Sequence, residues 1–141
     1  MKTIKYILFL ILSFTWGLPM SLIGAFVAIV LLCAGYKPQI FHGYVYFTVG
    51  NNWGGVNFGC FFVISKSSSL HTKQHEAGHG IQNIIFGWLM PFVVSIPSMI
   101  RYWYREFKIR KGQGATLPAY DSIWFEGWAT KLGEKYFAED E

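Results

Sequence analysis

His75-Glu76-Ala77-Gly78-His79 sets the reading of this chain. Two histidines flank three residues, and a glutamate follows the first. On an α-helix, positions i and i+4 lie one above the other on one face. Both imidazoles then reach a single metal ion without distorting the backbone. Glu76 lies about 100° further round the helix, within reach of a water on that ion. A divalent ion, a water and a base in one helical turn is the chemistry of metal-assisted hydrolysis. The bare pattern also occurs on ordinary solvated helices, so its surroundings decide its meaning.

Residues 70–88 read as one helix, polar before the motif and apolar after it. Gly78 and Gly80 lie inside it, and each costs about 1 kcal/mol relative to alanine. A helix that accepts both has something packed close against it. The stretch from Asp121 to Gly133 reads as its partner, with Asp121 as N-cap. There Glu126, Ala129, Thr130 and Gly133 share a face that is small except for one carboxylate. That face suits the His75/Gly78/His79/Gln82 face of the first helix. Glu126 then completes a ligand set of two histidines and one carboxylate. The fourth position stays open, as catalytic zinc sites require. Thr130 and Asp121 are candidates to hydrogen-bond a ligand from outside. His71, one turn before His75, and Asp121 are the rival ligands. Glu106 and Glu134 read as solvated charges.

On His75, Glu76, His79 and Glu126 the chain resembles the zincin metallopeptidases, specifically those with a glutamate ligand. The resemblance covers roughly residues 41–138, and its specific part is the two helices. It implies a metallopeptidase fold, one zinc ion, and a peptide or protein substrate. It also implies that Glu76 takes a proton from water and passes it to the leaving amine. Larger members carry an acidic or amide residue four positions after the glutamate ligand, where this chain has Thr130. The chain looks closest to small membrane-attached metallopeptidases with a Trp-Phe-Glu-type helix. Tyr120 and Tyr102 are both candidates to stabilise an oxyanion.

The 141 residues leave room for one small domain and an appendage. Hydrophobic residues make up 52% and charged ones 14%, apolar for a soluble domain. The excess gathers at the start, where residues 6–36 hold no charged side chain. One straight helix through them would run about 45 Å, against a hydrocarbon core of about 30 Å. Gly17 and Pro19 interrupt it. The run lacks a clear cleavage site and is longer than a signal-peptide core. The expected organisation is a membrane anchor over 1–37, as one kinked span or a helical hairpin, then a zincin-like domain over 38–141.

Residues 44–49 and 56–64 are β-branched and aromatic, with a turn cluster at 51–55. They read as a β-hairpin feeding the motif helix. In zincins an edge strand at this place binds the substrate backbone. The expected fold class is therefore α+β: the N-terminal anchor, then a minimal zincin-like domain of β-hairpin, HExxH helix and third-ligand helix. Residues 84–100 are apolar but broken by Pro91 and Pro97. Arg101, Arg105, Lys108, Arg110 and Lys111 follow, mixed with aromatics. This suits an anionic membrane surface better than nucleic acid, and weakly favours a cytoplasmic metal-site domain. Residues 111–118 read as a loop near the site. Cys33 and Cys60 make no disulfide framework.

The functional expectation is a membrane-anchored zinc peptidase. The alternative is a zinc-stabilised binding or scaffold module without turnover. An intramembrane protease is a third reading, opposed by His71, Lys73, Gln74 and Glu76 in the turn that lipid would have to bury.

Overall fold

A computed structural model describes residues 2–138. Met1 and residues 139–141, the extreme ends of the two expected segments, lie outside the described residues. The architecture is α+β. Two N-terminal helices, α1 (Lys2–Ser13) and α2 (Leu18–Cys33), precede a sheet of β1 (Gln39–Phe41), β2 (Tyr44–Thr48), β3 (Gly55–Phe58) and β4 (Phe61–Ile64). Three further α-helices follow: α3 (Leu70–Phe86), α4 (Ile96–Arg110) and α5 (Trp124–Tyr136).

The strand order is β1-β2-β4-β3. β1 pairs antiparallel with β2, β2 parallel with β4, and β4 antiparallel with β3. The expected hairpin between residues 44–49 and 56–64 is therefore corrected. The second run is not one strand but two, folded back on itself at Gly59. Gly59 holds φ +68°, a left-handed conformation suited to glycine. Asn57 Oδ1 accepts from the Gly59 amide at 2.9 Å, and Asn57 Nδ2 donates to the Gly59 carbonyl at 3.0 Å. This leaves β3 as one of the two edge strands, beside α3.

One face of the sheet meets α3 and the C-terminal end of the described chain. Phe41, Tyr44, Tyr46, Phe62, Ile64, Ala77 and Phe137 form that core. A second cluster joins Met20 of α2 to Met90, Val94 and Phe125. So α2 packs into the body of the protein. A Cβ on Gly24 would press on the Phe58 carbonyl at the β3–β4 turn, and one on Gly59 would overlap Ser21. Both contacts need glycine because backbone meets backbone there.

No single helix among the described residues is long and apolar enough to cross a membrane. Two pairs of helices reach that composition only jointly and are bent: Thr3–Ser13 with Leu18–Cys33 by 99°, and Leu70–Leu89 with Pro91–Arg110 by 116°. Gly17 and Pro19 break the first pair. Gly87, at φ +59°, and Pro91 break the second.

Candidate metal centre

The motif lies on α3 as its spacing predicts, and the two glycines answer to two different neighbours. A Cβ on Gly78 would overlap the carbonyl oxygen of Ala129, and one on Gly133 would overlap that of Gln74. The missing side chains let α3 and α5 approach backbone to backbone. A Cβ on Gly80 would overlap the Tyr44 ring instead.

This close crossing carries Glu126, in the first turn of α5, to the two histidines. Glu126 Oε2 lies 3.4 Å from His75 Nε2, and Oε1 lies 3.1 Å from His79 Nε2. One ligand atom from each of the three residues falls within 4.8 Å of the others, and all three residues are buried. The two carboxylate–imidazole distances are close to the roughly 3.3 Å between neighbouring ligand atoms on one tetrahedral ion.

The hydrogen bonds behind the imidazoles make the argument sharper. Gln82 Nε2 donates to the Phe125 carbonyl at 2.8 Å, which orients its amide. Gln82 Oε1 therefore accepts from His79 Nδ1, at 2.7 Å. Thr130 Oγ1 donates to Asp121 Oδ2 at 2.7 Å. That hydroxyl then accepts from His75 Nδ1, at 2.8 Å. With both Nδ1 atoms committed as donors, neutral imidazoles turn their Nε2 lone pairs toward a carboxylate. Glu126 Oε2 is fully buried and has no hydrogen-bond partner. Lone pairs facing an anion are repulsive unless positive charge sits between them. The three residues could therefore hold a metal ion.

With no ion between them, the same groups shift one another's ionisation. Burial alone would raise the Glu126 carboxyl, but His75 and His79 overcome it and hold the group far below the usual range. Burial lowers His79, yet Glu126 and Glu76 raise it overall. Burial dominates at Glu76 and raises it, with Glu126 adding to the effect and the histidines opposing it.

The remaining candidates sort by distance. His71 is exposed, Glu134 is exposed, Glu106 is half-buried, and none joins the cluster. Asp121 is corrected as a helix cap: α5 starts at Trp124 with Ile123 before it. Asp121 sits in a short turn (Tyr120–Ser122) and faces Thr130. The structure thus brings Asp121 and Thr130 together behind His75.

A cleft of about 270 Å³ opens beside Glu76 and His79. Edge strand β3 forms one wall, and α4 the other, with Met20 of α2, Met90 and Val94 between them. Gly55 lets the strand approach Glu76: a Cβ there would lie 3.0 Å from Glu76 Cγ. Asn57 Nδ2 donates to the Glu76 carbonyl at 2.9 Å. Both tyrosines line the cleft. Tyr120 packs 6.0 Å from the His75 ring, with the Arg101 and Arg105 guanidiniums 5.1 and 5.4 Å from its own ring centre. Burial, then Glu126 and Glu76, push its phenol far above the usual range, so it stays a proton donor. Tyr102 is raised by burial and by Glu106, away from the two buried glutamates. Tyr120 is thus the phenol beside the centre.

Three neighbours carried no sequence signal of their own. Ser98, in an apolar stretch of α4, donates to Glu126 Oε1 at 2.9 Å. Asn57 and Gly55 are distant in sequence from the motif. Gln82 is different, because it already lay on the His75/His79 face.

Thr130→Val tests the Asp121–Thr130–His75 chain. The shape is nearly kept while both hydrogen bonds go. Metal affinity, read by competition with a chromophoric chelator, should fall roughly 10–100-fold. An unchanged affinity would remove Thr130 from the centre.

Comparison of the chain with family models, with curated proteins and with solved structures gives no match. The centre is read from its own geometry.

Proposed function

We propose that this chain is a membrane-attached zinc peptidase in which His75, His79 and Glu126 hold one ion and Glu76 is the general base. One observation carries the reading. Two imidazole Nε2 atoms converge on a buried carboxylate, their Nδ1 atoms already committed, at the edge of a cleft that contains Glu76. Two nitrogens and one carboxylate oxygen at this spacing suit zinc.

A zinc ion held there supplies Lewis-acid polarisation of a carbonyl and lowers the pKa of water. The other steps belong to the chain. The Glu76 carboxylate, given a higher proton affinity by burial, takes a proton from water and returns it to the leaving amine. Tyr120, kept neutral, donates to the carbonyl oxygen as negative charge develops. Edge strand β3, along the cleft wall, offers unpaired backbone groups to an extended peptide. The uncharged residues 6–36 and the basic segment 101–111 support attachment to a bilayer, with the centre on its cytoplasmic side.

The rival is a zinc-stabilised binding module, and Glu76 separates the two. A purely structural ion needs no buried carboxylate beside an open cleft. Glu76→Gln keeps size and hydrogen bonding but removes the base. Zinc content should stay at the parent level while peptide hydrolysis falls about 10²–10⁴-fold. Equal turnover by the two proteins would take Glu76 out of the mechanism. A parent that binds zinc tightly yet cleaves no member of a broad peptide library would favour the binding module.

A further inference from the structure

The two bent helix pairs meet at their bends. Trp16, in the first bend, donates from Nε1 to the Ile85 carbonyl at 3.2 Å. Gly87, in the second, leaves room for the Trp16 indole, which a Cβ would overlap. Asn83 Nδ2 donates to the Gly17 carbonyl at 3.1 Å and ties the same corner. The outward residues of this corner are large and apolar: Phe14, Trp16, Trp88, Leu89 and Phe92, the last 70% exposed. Residues 77–100 hold no Asp, Glu, Lys or Arg, and neither do residues 6–36.

We infer that the joined bends form an apolar corner that enters one leaflet of a bilayer, so that the chain is attached from one side without crossing. The inference rests on the membrane attachment proposed above and not on the metal centre. Three arguments carry it. First, α1 and α2 have 12 and 16 residues. Their lengths are about 18 and 24 Å, each short of a hydrocarbon core of about 30 Å.

Second, the inner face of α2 is already occupied. Met20, Ser21, Gly24 and Ala28 are buried, and Gly24 meets the backbone of the β3–β4 turn. If α2 spanned the membrane in this packing, edge strand β3 would enter the hydrocarbon with it. Open sheet edges do not occur there, because their unpaired N–H and C=O groups find no partner. Third, the polar character returns away from the corner. α4 runs from it to exposed Arg110, with exposed Lys111 next in the chain. These cations suit anionic headgroups, and tryptophans at the corner suit the interface.

The test uses the full chain, added from outside to preformed vesicles of phosphatidylcholine and phosphatidylglycerol. One exposed cysteine is placed by Lys5→Cys, Thr15→Cys or Lys37→Cys in a Cys33→Ser background, which leaves only the buried Cys60 and serves as the unlabelled control. An impermeant maleimide is supplied outside or trapped inside. The expected result is vesicle binding, labelling of positions 5 and 37 from outside only, and protection of position 15 from both sides. Labelling of position 15 from inside would overturn the inference in favour of a crossing hairpin. Labelling of position 5 or 37 from inside would overturn it in favour of a span. No binding at all would overturn both the inference and the proposed attachment. Leu89→Gln and Phe92→Gln change exposed side chains and keep the fold, as circular dichroism would check. Each should weaken vesicle binding at least about tenfold; unchanged binding would also overturn the proposal.

Discussion

Glu126→Ala should strip the centre of its metal. The carboxylate is the sole anion among the three residues that could hold the ion, and it is fully buried beside both histidines. Its loss leaves two neutral imidazoles and a void where the third donor stood. The fall in affinity should exceed the roughly 10–100-fold typical of losing an outer hydrogen-bond partner. Thermal unfolding gives a second measure. A ligand at about 1,000 times its Kd adds about 4 kcal/mol to stability. The parent's Tm should therefore rise on adding zinc, and that of the variant should stay flat. Parent-like zinc content in Glu126→Ala would show that the ion is held elsewhere.

The second large effect comes from one added methyl group. By helix propensity alone, Gly78→Ala would stabilise α3 by about 1 kcal/mol. The packing predicts the opposite sign. The new Cβ would overlap a backbone carbonyl of α5, which has no rotamer to escape into. Relief requires the two helices to separate, which also withdraws Glu126 from His75 and His79. A net loss of about 3 kcal/mol or more is expected, at the upper end for overpacking. Urea unfolding of the metal-free protein measures it without interference from zinc. A stabilised variant would mean that α3 and α5 do not cross as described.

Local periodicity explains what was legible in the sequence. The spacing of His75 and His79 marks a helix face, and the run Glu126, Ala129, Thr130, Gly133 marks a facing one. Glycines inside a helix point to close approach, although nothing local says that Gly78 faces Ala129 while Gly80 faces Tyr44. Strand pairing was not legible, because β2 and β4 pair in parallel across an intervening strand. The deciding feature is one left-handed glycine inside an apolar run, held by Asn57. Asp121 was misplaced for a related reason. A residue with good capping chemistry caps only if the helix starts beside it, and here the chain makes a short turn first. The contribution of Ser98 was hidden because a lone serine in an apolar stretch has no period to reveal it.

The seat of Met20 has a practical consequence for anyone preparing this protein. Cutting off a greasy N-terminal stretch to obtain a tractable fragment is routine. Here such a cut would remove part of the cleft wall along with it. It would also uncover Phe58 and Phe61, which Gly24 now covers, and release the Asn83 amide from Gly17. The trimmed fragment would be a damaged body with a sticky flank. Purification with the N-terminal helices retained is the form in which the cleft stays whole.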